Sequence, residues 1–114
     1  MSSQLVWFEL PAADPERSKR FFGELMGWRF ESWGDESYSL VADANPGGAL
    51  STGDGHPVIY FSTDDIDAAV ARIGELGGEA EPVRDVPGVG RMAACRDDQG
   101  TRFSLYQHAG EPGA

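Results

Sequence analysis

The sequence predicts an α+β domain made of two pseudo-symmetric β-α-β-β-β modules, with curved mixed sheets around a concave pocket and the helices outside. Three observations support this prediction: an internal repeat, a length that allows one fold, and the same order of elements in both copies. The chain has 114 residues, which suits one domain but not two independent ones. The two copies must therefore share a fold.

The repeat relates two stretches about 51 positions apart, a self-similarity that indicates a duplicated supersecondary unit. Each copy has the order strand, acidic helix start, amphipathic helix and glycine stop. Two copies are too few for a solenoid, so we expect a pseudo-symmetric pair. The matching segments are 6–10 with 57–61, 14–17 with 65–68, and 23–27 with 74–78.

The first module spans residues 4–52 and opens with a strand and a helix. Residues 6–10 show the period-two pattern of a strand with two different faces. Asp14 can cap a helix and Pro15 suits its first position, so the helix should run from Pro15 to Met26. Its apolar residues at helical spacing are Phe21, Phe22, Leu25 and Met26. Short strands should follow at 28–33, 37–42 and 48–51.

The second module spans residues 56–108 and repeats that order. A strand at 58–62 precedes a helix that Asp64 or Asp65 caps. The apolar stripe of this helix consists of Ile66, Val70, Ile73 and Leu76. We expect further strands at 79–83, 91–96 and 102–107, a flexible turn at 85–91 and a frayed tail at 109–114.

Strand alternation gives each sheet a side that faces its helix and an open side. The residues that should face the helices are Val6, Phe8, Leu10, Ile59, Phe61, Phe103 and Leu105. The open side should carry Trp7, Glu9, Val58, Tyr60, Arg102, Ser104 and Tyr106. Apolar walls with a few polar groups are what a small-molecule pocket requires. The residues that we expect to bind a ligand in this aromatic-lined cup are Trp7, Val58, Arg102, Ser104 and Tyr106.

Composition argues against several functional classes. The net charge of −10 disfavours nucleic acid and acidic membranes as partners, because phosphate binding needs Lys and Arg to displace counterions. The apolar runs are far shorter than a membrane span, and residues 1–4 lack the start of a signal peptide, so we expect a cytoplasmic protein. The single cysteine, Cys95, excludes an intrachain disulfide and a cysteine-cluster metal site. Its apolar neighbours favour a buried strand residue over a nucleophile.

Two segments carry a family resemblance. Residues 14–28 combine Asp-Pro-Glu-Arg-Ser, a paired Phe and Leu-Met-Gly-Trp, and residues 97–105 combine an Asp-rich loop, a glycine and an alternating strand. In their order and spacing, across residues 4–108, the chain resembles the vicinal oxygen chelate superfamily, which includes glyoxalase I, bleomycin-resistance proteins and extradiol dioxygenases. The resemblance implies paired β-α-β-β-β modules and, for a chain this short, a homodimer.

Metal-dependent members of that superfamily hold a divalent ion with His, Glu or Gln side chains on the strands. The resemblance puts the equivalent positions at Trp7, Val58 and Ser104, and near Ala49 or Leu50. None of these supplies the imidazole or carboxylate that such an ion needs. We therefore expect no metal and no other cofactor. The alternative, a site built from His56 and Glu9, would require shifting a ligand by two residues, about 7 Å along a strand.

Glu9 is the first candidate catalytic residue, because a carboxylate inside an aromatic cup would act as a proton acceptor. A structural ion pair with Arg29, Arg91 or Arg102 is the alternative interpretation. Glu9 could also recognise a cationic or hydroxylated ligand.

Three functions remain open. The first is a metal-free member of the resembled group that binds a small, partly aromatic or polar organic molecule for sequestration or sensing. The second is a metal-independent isomerase or lyase, with Glu9 as general base and Tyr60 or Tyr106 as hydrogen-bond donor. The third is a metal-dependent glyoxalase or dioxygenase. The sequence leaves open whether the protein is an enzyme.

Overall fold

The computed structural model describes residues 3–53 and 55–109, apart from the side chains of residues 35 and 36. Beyond Ala109, the tail that was predicted to fray lies outside the described residues. Within these ranges the fold is α+β, as predicted, with two helices and nine strands. The elements are β1 (Leu5–Ala12), α1 (Pro15–Met26), β2 (Arg29–Trp33), β3 (Asp35–Ala42), β4 (Gly47–Thr52), β5 (Val58–Ser62), α2 (Ile66–Glu75), β6 (Glu79–Ala80), β7 (Arg84–Val86), β8 (Gly90–Arg96) and β9 (Arg102–His108).

The chain divides into two compact units. The first unit is Trp7–Val58, with strand order β2-β3-β4-β1, and it has the predicted β-α-β-β-β sequence. The second unit joins the residues through Val6 to those from Ile59 onward, with strand order β5-β9-β8-β6. Strand pairing is mixed within each unit, because β1 and β4 pair in parallel, as do β5 and β9, while the neighbouring pairs are antiparallel.

The second unit departs from the prediction after α2. The strand expected at 79–83 is only two residues long, and a further strand, β7, pairs with β8. Residues 85–91, expected to be a flexible turn, form part of this hairpin, in which the Val89 amide donates to the Val86 carbonyl at 2.9 Å. The carbonyl of Val89 in turn accepts from the Tyr106 hydroxyl at 2.6 Å. The hairpin is therefore held by the neighbouring strand, a contact that local sequence does not reveal.

Capping residues begin both helices. The side chain of Asp14 accepts from the Arg17 amide at 3.3 Å, so α1 has the predicted bounds. Asp65, one of the two residues considered, caps α2 by accepting from the Ala68 amide at 3.1 Å. Gln107 adds a second acceptor, because its Oε1 lies 2.8 Å from the Ile66 amide and ties the start of α2 to β9.

The core of the second unit lies between α2 and its sheet. A buried cluster of Ile66, Ala93, Cys95 and Leu105 packs with residues that include Phe61 and Phe103. The predicted inward orientation of Phe61, Phe103 and Leu105 is thus confirmed, and so is the burial of Cys95. Burial raises the pKa of the Cys95 thiol, which keeps it in the unreactive protonated form.

Two residues expected in that core are exposed instead. Ile59 is surface-exposed despite its place on β5. Leu76 is 60% exposed, because α2 ends at Glu75 and Leu76 therefore lies outside the helix whose apolar stripe it was predicted to continue.

The core of the first unit is aromatic, and α1 contributes less to it than predicted. Phe22 stacks on Trp28 with ring centroids 5.4 Å apart, and Trp28 also contacts Phe8 at 5.9 Å. Phe21 and Leu25, placed in the same stripe, are exposed, because at about 100° per residue they lie about 100° and 60° around α1 from Phe22, on the edge of the covered face. The Phe21 ring still meets the Phe22 ring edge-on, with centroids 5.3 Å apart.

No helix in the part of the chain that the structure describes is long and apolar enough to cross a bilayer.

Candidate functional site

A chain of hydrogen bonds joins three side chains of the first unit. The indole Nε1 of Trp7 donates to the Tyr38 hydroxyl at 2.9 Å, and that hydroxyl donates to Oε2 of Glu9 at 2.7 Å. All three side chains are partly buried. We call Trp7, Tyr38 and Glu9 the Trp7 relay.

The chemistry of the groups sets the direction of the Trp7 relay. An indole N–H can only donate, so the Tyr38 oxygen accepts from Trp7. The single hydroxyl proton of Tyr38 then points to Glu9, whose ionised carboxylate is an acceptor. A hydrogen bond to a carboxylate is shorter and stronger than one between neutral groups. The Trp7 relay therefore ends in an oriented negative charge.

Small residues of β4 make the Trp7 relay possible. Trp7 and Glu9 lie on β1, Tyr38 lies on β3, and β4 runs between them. Side chains two strands apart must span about 9.6 Å of sheet. In register, Trp7 lies beside Gly47 and Glu9 beside Ala49. A Cβ atom on Gly47 would come within 2.6 Å of the Trp7 ring, so the indole occupies the space that a side chain at this position would need.

An aromatic side chain extends the Trp7 relay toward solvent. Trp33 is half exposed and meets the Tyr38 ring edge-on, with centroids 5.9 Å apart. The sequence pattern placed Trp33 at the end of the strand predicted at 28–33 and did not single out Tyr38. Tyr38 could have been found only from its register with β1, which requires knowing that β4 lies between.

Two of the three arginines that were considered as ion-pair partners of Glu9 bind other acidic residues. The guanidinium of Arg29 pairs with Asp43. Arg91 bonds to Asp67 at 2.8 Å and to Asp85 at 2.9 Å. The hydrogen bond from Arg91 also lowers the pKa of Asp67. Arg29 therefore forms an ion pair at the surface, and Arg91 forms ion pairs with α2 and with the β7–β8 hairpin.

Three of the other predicted ligand-binding residues lie on β9. Arg102 is exposed, Ser104 is buried, and Tyr106 is partly buried. Burial raises the pKa of the Tyr106 hydroxyl, and this hydroxyl donates to Val89. It is therefore occupied as a donor to the backbone.

The two predicted residues of β5 have different exposure. Tyr60 is buried and lies in register with Ser104, so these two side chains are brought together. Val58 is partly exposed and belongs to the first unit. Binding by all these residues, and the cup itself, stay predictions.

The metal site of the resembled superfamily does not fit the residues present. Trp7 offers only an N–H that already donates to Tyr38, and Ala49 and Leu50 carry no donor atom. Ser104 offers a hydroxyl and Val58 offers nothing. Among residues 3–53 and 55–109 no three His, Cys, Asp or Glu side chains are grouped as a metal site would require. His56, the proposed substitute ligand, is exposed beside Pro57.

Known proteins resemble the chain in sequence. The family model described as Bleomycin resistance protein-like N-terminal matches residues 4–42. CFP32 of Mycobacterium tuberculosis, which is named as a putative glyoxylase, is 33% identical over an alignment of 116 positions that covers 92% of this chain and 44% of CFP32. The anthracycline biosynthesis protein DnrV of Streptomyces peucetius is 30% identical over an alignment of 134 positions that covers 96% of this chain and 48% of DnrV. The chain spans about half the length of the curated relatives that it matches.

Solved structures resemble it in fold. A glyoxalase/bleomycin resistance protein/dioxygenase superfamily member from Vibrio splendidus superposes with a TM-score of 0.69 at 15% identity, covering 93% of this chain and 99% of that one. At this identity the likeness concerns the fold, and functional residues must be argued from the site itself.

Proposed function

We propose a small-molecule-binding function for this chain, which belongs to the glyoxalase and bleomycin-resistance group of the vicinal oxygen chelate superfamily. The ligand is a small, partly aromatic or polar organic molecule. It is held without a metal ion, on the face of the first unit that carries the Trp7 relay. Sequestration or sensing of that molecule is the biological role that this function would serve.

The observation that carries the proposal is the hydrogen-bonded path from Trp7 through Tyr38 to Glu9, at 2.9 and 2.7 Å. Groups already oriented before binding lose less conformational freedom when a ligand arrives. A carboxylate has about four acceptor sites, so Glu9 can accept from Tyr38 and still accept a ligand O–H or N–H. The rings of Trp7 and Trp33, which both contact Tyr38, offer flat apolar surface next to the Trp7 relay.

The names of the relatives suggest which ligands to try first. DnrV is named for anthracycline biosynthesis and the matching family model for bleomycin resistance. Anthracyclines and bleomycin should therefore lead a thermal-shift screen, followed by a set of small metabolites. Ligands that raise the melting temperature are then measured by calorimetry.

The decisive variants test Glu9 against a matched control. Glu9→Gln keeps the shape and an acceptor oxygen but removes the charge. A hydrogen bond to a charged group is worth about 1.5–3 kcal/mol and one between neutral groups about 1 kcal/mol, so affinity should fall about twofold to thirtyfold. Glu16→Gln makes the same change on the exposed side of α1 and should leave affinity unchanged. Equal affinity of wild type, Glu9→Gln and Tyr38→Phe for every ligand found would refute the proposed site.

Catalysis by Glu9 is the second candidate function, and the hydrogen bond from Tyr38 favours it. A general base must be aimed at the proton that it removes, and the Tyr38 hydroxyl fixes one oxygen of Glu9. The chemistry would be a metal-independent lyase or isomerase step in which Glu9 accepts the proton. Lost turnover with retained affinity in Glu9→Gln would support this enzyme, whereas lost affinity without any turnover in wild type would support a binder.

Elemental analysis of the purified protein tests the third possibility. The donor groups at the superfamily's ligand positions do not suit a divalent ion. Stoichiometric nickel, zinc, iron or manganese would therefore overturn the metal-free proposal.

A further inference from the structure

Two arginines of the second unit face each other where β8 ends and β9 begins. Arg96 is the register partner of Arg102, so both side chains leave the sheet on the same side, and both are exposed. Residues directly opposite each other in an antiparallel pair have Cβ atoms about 4.5–5.5 Å apart, and like charges at such positions are destabilising. The chain has only 9 basic residues beside 19 acidic ones. Placing two of these cations side by side costs stability, which an anion bound between them would recover.

The acidic residues around Arg96 do not neutralise it. Glu79 on β6 is the register partner of Arg96 on the other side of β8, yet neither of these two residues forms an ion pair with any described residue. The carboxylate of Asp97, the next residue along the chain, accepts from two backbone amides of its own loop at 2.8 and 2.9 Å. Arg96 therefore presents its guanidinium group to solvent beside Arg102.

A buried hydroxyl lies on the same side of β9. Ser104 is 5% exposed, and it follows Arg102 by two residues, or about 6.8 Å along the strand. No described group forms a hydrogen bond with its side chain. The hydroxyl oxygen nevertheless keeps some contact with solvent, because no side-chain polar atom of the described residues is both sealed and without a partner. An oxygen that is reachable but has no partner indicates a donor for a ligand.

We propose that Arg96, Arg102 and Ser104, which we call the β9 anion site, bind the phosphate group of a small phosphate monoester. Two guanidinium groups opposite each other suit a dianion better than the single charge of a carboxylate. Each guanidinium offers a planar fork that matches phosphate oxygens, and the hydroxyl adds a third donor group. The three donor groups correspond to the three terminal oxygens of a phosphate monoester.

The β9 anion site goes beyond the function proposed for the first unit and does not depend on it. All three residues belong to the second unit, whereas the Trp7 relay lies in the first. The two sites also differ in charge, because the Trp7 relay ends in a carboxylate. A ligand screen that fails at the Trp7 relay therefore leaves the β9 anion site standing, and the reverse holds as well.

Binding of phosphate alone should be weak. The net charge of −10 repels an approaching anion, and exposed ion pairs are screened by salt. We expect a dissociation constant on the order of 1 mM for inorganic phosphate or phenyl phosphate at an ionic strength of about 50 mM. Amide NMR shifts of nitrogen-15-labelled protein, titrated at constant ionic strength, measure this affinity and locate the site. Benzoate, titrated in parallel, has the same ring with one charge.

Substitutions in the β9 anion site test the assignment. Arg96→Gln and Arg102→Gln should each weaken phosphate binding about fivefold, and Ser104→Ala should weaken it at least about twofold. Both arginines are exposed, so their variants should keep the amide spectrum of the folded protein. Arg20→Gln is the matched control, because Arg20 is equally exposed but lies on α1 in the first unit. It removes the same charge and should leave the affinity unchanged.

Each result of the titrations decides the proposal. Saturable shifts at the adjoining ends of β8 and β9, weakened by Arg96→Gln and Arg102→Gln but not by Arg20→Gln, would support it. No saturable shift at phosphate concentrations up to about 20 mM, or equal affinity of wild type and Arg96→Gln, would overturn it. Benzoate binding as tightly as phenyl phosphate would refute the preference for a dianion. Shifts on α1 that disappear in Arg20→Gln would assign the anion to another surface and overturn the proposal equally.

Discussion

Replacing Tyr38 with phenylalanine removes one oxygen atom and both hydrogen bonds of the Trp7 relay, while the ring that meets Trp33 stays in place. The bond from Trp7 joins neutral groups and is worth about 1 kcal/mol, and the bond to Glu9 involves a carboxylate and is worth about 1.5–3 kcal/mol. Together the two bonds are worth about 2.5–4 kcal/mol, and because both are partly buried rather than fully buried we expect a loss in the lower half of that range, about 2.5–3 kcal/mol. For a domain of this size that lowers the melting temperature by about 10–12 °C.

Tyr106→Phe provides the comparison, because it removes one hydrogen bond, from a phenol to the neutral Val89 carbonyl. That change should cost about 1 kcal/mol, or about 4 °C. Urea unfolding of both variants measures the free energies, and a double-mutant cycle of Tyr38→Phe with Glu9→Leu should yield a coupling of about 1 kcal/mol or more. A Tyr38→Phe variant no less stable than Tyr106→Phe, or a coupling near zero, would show that the Trp7 relay does not form in solution.

Three further predictions concern other parts of the chain. Gly48→Ala puts a Cβ against the Phe8 ring and should lower the free energy of unfolding in urea by about 1–3 kcal/mol. Gly74→Ala, which has open space around it in α2, should instead raise it by about 0.5–1 kcal/mol. Equal effects of the two substitutions would contradict the packing of Phe8 against Gly48. Since burial raises the pKa of Cys95, a thiol reagent at pH 8 should modify it far more slowly in the folded protein than in denaturant, and fast modification of the folded protein would argue against its burial. Backbone amides of the loop between β8 and β9 donate to Asp97 and lower its pKa. The contribution of Asp97 to stability is therefore present above about pH 4 and is lost as the pH falls below that value. The melting temperature of Asp97→Asn should depend less steeply on pH in acid than that of the wild type, and an identical dependence would refute this.

The sequence was enough to predict the elements that residues close together in the chain define. Asp14 and Gly27 bound α1 because a side-chain cap and a left-handed glycine act within one turn of the helix. Strand alternation placed Phe103 and Leu105 in the core, because a period of two leaves only one assignment once the helix side is known. The duplication supplied the module order, which the first unit follows fully.

The features that the sequence did not predict depend on contacts between residues far apart in the chain. Phe21, Leu25 and Leu76 have the composition of a buried stripe, but the breadth of the covered helix face and the point at which α2 ends decide their exposure. The β7–β8 hairpin is held by Tyr106 from 17 residues away in sequence. Tyr38 belongs to the candidate site through a strand that separates it from Glu9. Residue pattern alone does not contain these pairings.

The β4 strand explains why one short segment serves both the core and the candidate site. Successive residues of a strand face opposite sides, and here Gly47 underlies the Trp7 ring while Gly48 underlies the Phe8 ring. A larger residue at Gly47 would displace the indole from Tyr38, and one at Gly48 would displace Phe8 from Trp28. Neither glycine has a positive φ, so backbone freedom is not what these positions require. The glycine pair, which lies at the start of the strand predicted at 48–51, is needed because β1 lays two consecutive aromatic rings across its neighbour.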